Sequence, residues 1–125
     1  ISTRPISALL ARVEAAERGF SAEGAVRAVV VGGGAAGIEL AMALQARWAG
    51  VLGGKQRLSV TLLDSGAELL GHEPPACRAA VHAALRELPV LCPRAGDEGE
   101  RLLLLFPRLD FSSGKLPLSG MLFCG

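Results

Sequence analysis

A turn of closely spaced glycines constrains this chain more than any other feature of its sequence. Gly32, Gly34 and Gly37 follow an apolar, valine-rich run at 28–31 and stand directly before a segment of helical period. A lone G-x-G-x-x-G pattern is weak evidence, but the same pattern between a strand and a helix is typical of a dinucleotide-binding turn. The context therefore predicts a strand, a tight turn and a helix over residues 28–41.

Each glycine of this turn has its own physical task. Gly32 can adopt the backbone angles of a tight turn, Gly34 has no Cβ to block a pyrophosphate, and Gly37 lets the helix lie close to the strand. The N–H groups and the positive dipole end of the helix would face the phosphates. The candidate cofactor-binding residues of the turn are Gly32, Gly33, Gly34, Ala35, Ala36 and Gly37. The alternative interpretation is a glycine-rich loop that binds no ligand.

Asp64, which follows the predicted strand at 58–63, is a further candidate for nucleotide binding. In a dinucleotide site an acidic residue here accepts hydrogen bonds from the adenosine ribose and repels a 2′-phosphate, so Asp64 favours NAD over NADP. The spacing from Gly37 to Asp64 exceeds the usual figure of about 20 residues, and the surplus is assigned to the glycine-rich loop at 50–57. The alternative is that Asp64 only begins an ordinary turn.

Length and charge limit the class of protein. The 125 residues suffice for one domain, half of them are hydrophobic, and the formal net charge of +1 disfavours a nucleic-acid partner bound by bulk charge. The longest apolar run, 102–106, is far shorter than the roughly 20 residues of a membrane helix. Because the chain begins at Ile1 and not at a methionine, we expect an excised piece of a longer protein or a processed product.

The cysteines and histidines do not form the patterns of a disulfide framework or a metal site. Cys77, Cys92 and Cys124 are an odd number at wide spacing, which predicts reduced thiols in a reducing, intracellular compartment. The lack of a C-x-x-C pair disfavours flavin-dependent disulfide reductases that carry their redox pair in this kind of domain. His72 and His82 are isolated from other ligand types, so no metal is predicted.

The hydrophobic pattern predicts alternating helices and strands. Ser7 would cap the first helix, whose buried side would include Leu10 and Val13, and Met42 and Trp48 would lie in the core. The predicted elements are a helix at 7–18, a strand at 25–31, a helix at 35–48, a strand at 58–63, a helix from 74–75 to 87, and a strand at 88–91.

These elements predict an α/β, Rossmann-like three-layer fold with a parallel sheet. A linker and lead-in helix would occupy 1–24, and a βαβαβ core would occupy 25–92. Residues 93–125 would form an irregular C-terminal tail, so the fold is incomplete. Within this tail a strand is predicted only at 101–106, and no chemistry can be assigned.

Two strings, VVVGGGAAGIELAMAL and VTLLDSGAELL, resemble the NAD(H)-binding subdomain of the pyridine nucleotide-disulfide oxidoreductase superfamily. These flavoproteins have two dinucleotide domains. The chain is most similar to the branch with type II NADH dehydrogenases, apoptosis-inducing-factor-like flavoproteins and the flavoprotein module fused to selenide, water dikinase. The resemblance covers about residues 25–91, is looser over the leading helix, and ends after about residue 92.

The resemblance implies an enzyme part that presents NADH for hydride transfer to an FAD held by another domain of a longer parent chain. Glu39 matches a glutamate that faces the flavin and the nicotinamide in relatives, which implies a catalytic position. The alternative is a polar residue that the helix dipole favours. Ala35 stands where many disulfide reductases have a tyrosine over the flavin, which fits the type II dehydrogenase branch.

Two departures from the family pattern leave other functions open. The chain has no FAD fingerprint, and the motif that closes the nicotinamide subdomain is not recognisable. We therefore expect no turnover from the fragment alone, and a truncated or alternatively spliced product is one interpretation. Another is a non-catalytic regulatory module that binds NAD or FAD. The predicted location is the cytoplasm or the mitochondrion.

Overall fold

A sheet of four strands forms the centre of the described part of the protein. The structure is a computed structural model that describes residues 3–64 and 66–88 and the backbone of residues 90–91 and 122–124. The strands, in the spatial order β3-β2-β1-β4, are β1 (Val26–Val31), β2 (Leu58–Leu63), β3 (Val90–Leu91) and β4 (Leu122–Cys124). The helices are α1 (Leu9–Glu17), α2 (Ala35–Val51) and α3 (Pro75–Ala84), and a 3-10 turn at Ile6–Ala8 precedes α1.

The first three strands are parallel, and helices connect them. α2 crosses from β1 to β2, and α3 crosses from β2 to β3, as parallel pairing requires. β1 and β2 pair in register from Val26 opposite Leu58 to Val31 opposite Leu63, so both strands end at the same edge of the sheet. This arrangement confirms the predicted Rossmann-like α/β fold with an incomplete parallel sheet. β4 pairs with the other edge of β1 and is antiparallel to it.

The core lies between the sheet and one stripe of α2. Residues Ala28 to Val31 of β1 are at most 2% exposed, as expected for a central strand. The buried residues of α2 are Ile38, Ala41, Leu44 and Trp48. The prediction for Met42 is wrong, because it is 39% exposed. Ala41 lies at the centre of the buried stripe, and Met42 lies about 100° around the helix from it. Leu44 occupies the inward position instead.

The start of the first helix also differs from its prediction. Ser7 lies within the 3-10 turn, in which the Ala8 N–H donates to the Pro5 carbonyl at 3.0 Å, so the N-cap of α1 is Ala8 and no side chain caps this helix. Val13 is buried as predicted, but Leu10 is 57% exposed.

The other element ends shift by a few residues. α2 continues three residues beyond its predicted end, and α3 stops at Ala84 because a turn follows in which Leu88 N–H donates to the Leu85 carbonyl at 2.8 Å. Leu88 is buried, and β3 begins two residues later than predicted, at Val90. The predicted strand at 101–106 lies outside the described residues.

Glu17, at the end of α1, joins this helix to α2. Its carboxylate accepts hydrogen bonds from Arg47, with an Nη2 to Oε2 distance of 2.9 Å, and from Trp48 Nε1 at 2.9 Å. Phe20 packs edge-to-face on the Trp48 ring with centroids 5.1 Å apart. The Glu17 side chain is only 13% exposed, so one carboxylate satisfies the buried indole and holds the end of α1.

We expect acidification to lower the melting temperature of the wild type more than that of Glu17→Gln. The hydrogen bond from Arg47, with a second from Trp48, holds the pKa of Glu17 below its ordinary value of 4.5. A carboxyl group with a lowered pKa stabilises the fold above its unfolded pKa, and this contribution disappears as the pH falls through the folded pKa. Thermal melts from pH 7 to pH 3 measure the difference.

Glu14→Gln is the control for this measurement, because Glu14 lies on the same helix and reaches Arg47 only at 4.0 Å. Its melting temperature should follow pH as the wild type does. Equal pH dependence in the wild type and Glu17→Gln would contradict the prediction.

Candidate functional site

The glycine turn between β1 and α2 depends on two glycines for its shape. Gly32 has a φ of 115°, which residues with a side chain rarely adopt, and its N–H donates to the Leu63 carbonyl at 2.8 Å. A Cβ on Gly37 would lie 1.7 Å from the Gly32 carbonyl oxygen. The first turn of α2 therefore packs directly on the backbone of the glycine turn. Gly32 and Gly37 have the conformations that the sequence predicts, and their contact with a nucleotide stays a prediction.

Gly34 has a different environment, because it is exposed and a Cβ there would meet no atom within 4 Å. It stands at the N-cap of α2, and the N–H of Ile38 donates to its carbonyl at 3.0 Å to begin the helix. The first N–H groups of a helix have no partner within the helix, so those of residues 34–37 are available as donors. No side chain caps this helix end, and its first turn has no acidic residue. The site can therefore accept an anion.

Gly33 is hydrogen-bonded to Asp64. Its N–H donates to Asp64 Oδ1 at 3.2 Å, and the residue is buried. A Cβ on Gly33 would lie 2.5 Å from Leu69 Cδ1 and 2.7 Å from Asp64 Cγ. The sequence predicts Gly33 and Asp64 only as separate contacts to a nucleotide. Their proximity could be inferred only from the parallel sheet, in which β1 and β2 end at the same edge. The sequence gives no indication that Leu69 contacts the glycine turn.

Described residues line two grooves beside the turn, and the first, here called the β2-side groove, contains Asp64. Its volume is about 490 Å³, and its lining residues are Gly33, Gly34, Asp64, Gly66, Ala67, Glu68, Leu70, Gly71 and His72. Asp64 is half-buried, and Glu68 pairs with Arg78 of α3 at 2.7 Å. Two carboxylates thus line this groove.

The second, here called the α1-side groove, lies on the other side of the turn. Its volume is about 1040 Å³, and its lining residues are Thr3, Arg4, Pro5, Ile6, Leu9, Val30, Val31, Gly32, Gly34, Ala36, Gly37, Glu39, Leu40 and Ala43. Glu39 is exposed on α2 and lines this groove only, whereas Asp64 lines the other. Gly34 borders both grooves. Ala35 is exposed and lines neither.

Other chemistry-bearing groups are few in the described part of the chain. Cys77 is a free, exposed thiol, and the side chains of Cys92 and Cys124 lie outside the described residues. Within residues 3–64 and 66–88, His, Cys, Asp and Glu form no group of three that could hold a metal ion. No helix among the described residues has the length and apolar character to cross a bilayer.

Comparison with known protein families gives a match to the sequence of this chain. The family model described as pyridine nucleotide-disulphide oxidoreductase matches residues 6–92, which is more than half of the chain. The matched range contains the glycine turn, Glu39 and Asp64. Neither the curated proteins nor the solved structures include a match to this sequence.

Proposed function

We propose, since the chain belongs to the pyridine nucleotide-disulphide oxidoreductase family, that it binds NADH and presents the nicotinamide to a flavin. The family is one of oxidoreductases that typically use FAD and NAD(P), and the flavin would be held by an FAD domain of a longer parent chain. The observation that carries the proposal is that two grooves meet at Gly34, at the N-terminus of α2. A dinucleotide has the matching shape, with two nucleoside ends and a pyrophosphate between them.

The pyrophosphate would lie against the start of α2. The space beside Gly34 can hold phosphate oxygens, because a Cβ there would meet no atom within 4 Å. The N–H groups of residues 34–37 and the positive end of the helix dipole would stabilise the negative charge. These residues therefore fit a pyrophosphate in both charge and space.

The adenosine end would lie in the β2-side groove. Asp64 would accept hydrogen bonds from the ribose hydroxyls, as an acidic residue does at the end of this strand in dinucleotide sites. Asp64 lines the groove, and its negative charge would oppose a 2′-phosphate, whereas the carboxylate of Glu68 is paired with Arg78. We therefore propose NADH over NADPH as the ligand.

The nicotinamide end would lie in the α1-side groove, where Glu39 would help to place the ring. Ile6, Leu9 and Leu40, which are exposed or partly exposed, give this groove an apolar wall that would shield the ring from water. The bound cofactor supplies the hydride, and the residues of this chain bind and orient it. A flavin domain facing this groove would complete the active site.

Calorimetric titration of the 125-residue chain with NADH and NADPH tests the proposal. For Asp64→Arg we expect NADH affinity to fall by about tenfold or more, because charged hydrogen bonds to the ribose are lost, and the preference to shift toward NADPH. Glu23→Arg makes the same charge change at an exposed residue outside both grooves and should leave binding unchanged.

Three outcomes would contradict parts of this assignment. No NADH binding by the wild type at millimolar concentration would refute it. An unchanged nucleotide preference in Asp64→Arg would leave Asp64 as a turn residue only. A flavin absorbance band in the purified chain would assign the glycine turn to FAD.

A further inference from the structure

We propose that Asp64 is a positioning residue that fixes the glycine turn with one carboxylate oxygen and leaves the other for the nucleotide. The second half of this inference rests on the proposed function. The first half concerns the free protein and can be tested without any ligand.

The bond from Gly33 to Asp64 joins two residues that are 31 positions apart in the chain. The Gly33 N–H donates to Asp64 Oδ1 at 3.2 Å and is therefore not available to a ligand. The acceptor is a carboxylate oxygen, and the distance lies within the range of N–H···O hydrogen bonds. The donors left for a phosphate are therefore the N–H groups that follow Gly33.

Packing supports the same contact. Leu69, which is 1% exposed, lies against Gly33 so closely that a Cβ there would come within 2.5 Å of Leu69 Cδ1. The Asp64 side chain lies equally close on the same residue, at 2.7 Å for Cγ and 2.8 Å for Cβ. Gly33 is thus enclosed by Asp64, the first residue after β2, and by Leu69 of the loop that follows. The enclosure leaves no room for a side chain at position 33. Glycine is therefore required here, although the middle position of a G-x-G pattern is not restricted to glycine.

The second carboxylate oxygen borders the β2-side groove. A Cβ on Gly66 would lie 3.1 Å from Asp64 Oδ2, so the glycine leaves this oxygen free of a covering side chain on that side. Asp64 and Gly66 both line the groove. Oδ2 is therefore placed to accept a ribose hydroxyl while Oδ1 keeps its bond to Gly33.

The consequence is a turn that is ordered before the nucleotide arrives. A site whose backbone is already fixed loses less conformational freedom on binding, and its affinity is higher for that reason. Replacing the Asp64 carboxylate should therefore weaken nucleotide binding in two ways. The glycine turn becomes less ordered, and the hydrogen bond to the ribose is lost.

Asp64→Asn and Asp64→Leu separate the two tasks, because asparagine keeps an Oδ1 acceptor without charge and leucine has a similar shape with no acceptor. We would measure amide hydrogen exchange by NMR in the nucleotide-free chain. The Gly33 amide should exchange about tenfold faster in Asp64→Leu than in Asp64→Asn, because its hydrogen bond is lost. Glu68→Gln removes a carboxylate from the same groove and should leave Gly33 exchange as in the wild type.

NADH titration of the same variants gives the second measurement. We expect NADH affinity in the order wild type, Asp64→Asn, Asp64→Leu, with β1 amide exchange unchanged as evidence of an intact fold. Equal Gly33 exchange in Asp64→Asn and Asp64→Leu would overturn the positioning role, even if the wild type binds NADH. If the Gly33 amide exchanges as expected but the wild type does not bind NADH, the hydrogen bond from Gly33 to Asp64 is supported and the proposed function is overturned.

Discussion

Gly37→Ala is expected to unfold the chain or lower its melting temperature by about 10 °C or more. The added Cβ would lie 1.7 Å from the Gly32 carbonyl oxygen, and that oxygen belongs to backbone and cannot turn aside as a flexible side chain does. α2 would have to move away from β1, which separates Ile38 and Ala41 from the core. Overpacking of this kind costs about 3 kcal/mol, more than the roughly 1 kcal/mol that alanine gains over glycine in a helix.

Gly50→Ala is the matched control, because Gly50 also lies in α2. A Cβ at Gly50 would meet nothing within 4 Å, so only the helix preference of alanine acts there. We expect the free energy of unfolding of Gly50→Ala to rise by up to about 1 kcal/mol, which gives a slightly higher melting temperature. Thermal melts followed by circular dichroism give both values. A Gly37→Ala protein as stable as Gly50→Ala would show that the turn does not need the close approach.

The alternation of strands and helices was predictable because each element carries its own local pattern. The valine-rich run of β1, the glycines after it and the prolines at the start of α3 act over a few residues, and their meaning depends little on the rest of the chain. The parallel pairing of β1 with β2 also follows, since a helix between two strands allows little else.

The misplaced side chains have a different origin. Met42 and Leu44 are both apolar and lie on the same helix, so the pattern alone does not decide which one the sheet covers. Arg57 shows the same limit, because it lies in the glycine-rich loop at 50–57 and its local sequence indicates no partner for it. Its guanidinium donates to the carbonyl oxygens of Ser21, at 3.0 Å, and Ala22. These contacts join residues that are 35 or more positions apart, and only the folded chain brings them together.

The features of the candidate site also differ in how far the sequence could predict them. The tasks of Gly32 and Gly37 are local and were predictable, whereas the bond from Gly33 to Asp64 depends on the register of two strands. The antiparallel strand β4 had no indication in its sequence, because the surrounding stretch has no period. Its partner edge on β1 is defined only by the tertiary structure.

Gly34→Val is expected to weaken NADH binding strongly while the fold is kept. A side chain at Gly34 would enter the space where the two grooves meet, and its methyl groups would keep phosphate oxygens from the N–H groups of α2. Loss of one or two charge-assisted hydrogen bonds corresponds to a fall in affinity of about a hundredfold. The fold should tolerate the change, because Gly34 has a φ of −74° and a Cβ there meets no atom within 4 Å.

Gly50→Val is the control for this experiment, since it adds the same side chain to α2 at an exposed residue outside both grooves. We expect it to bind NADH as the wild type does. Valine is a poorer N-cap than glycine, so Gly34→Val should lose about 1 kcal/mol of stability and still unfold cooperatively. Calorimetric titration and thermal melts of the two variants separate binding from folding. Wild-type NADH affinity in a folded Gly34→Val protein would exclude the turn as the pyrophosphate site, because no phosphate could then lie against the start of α2.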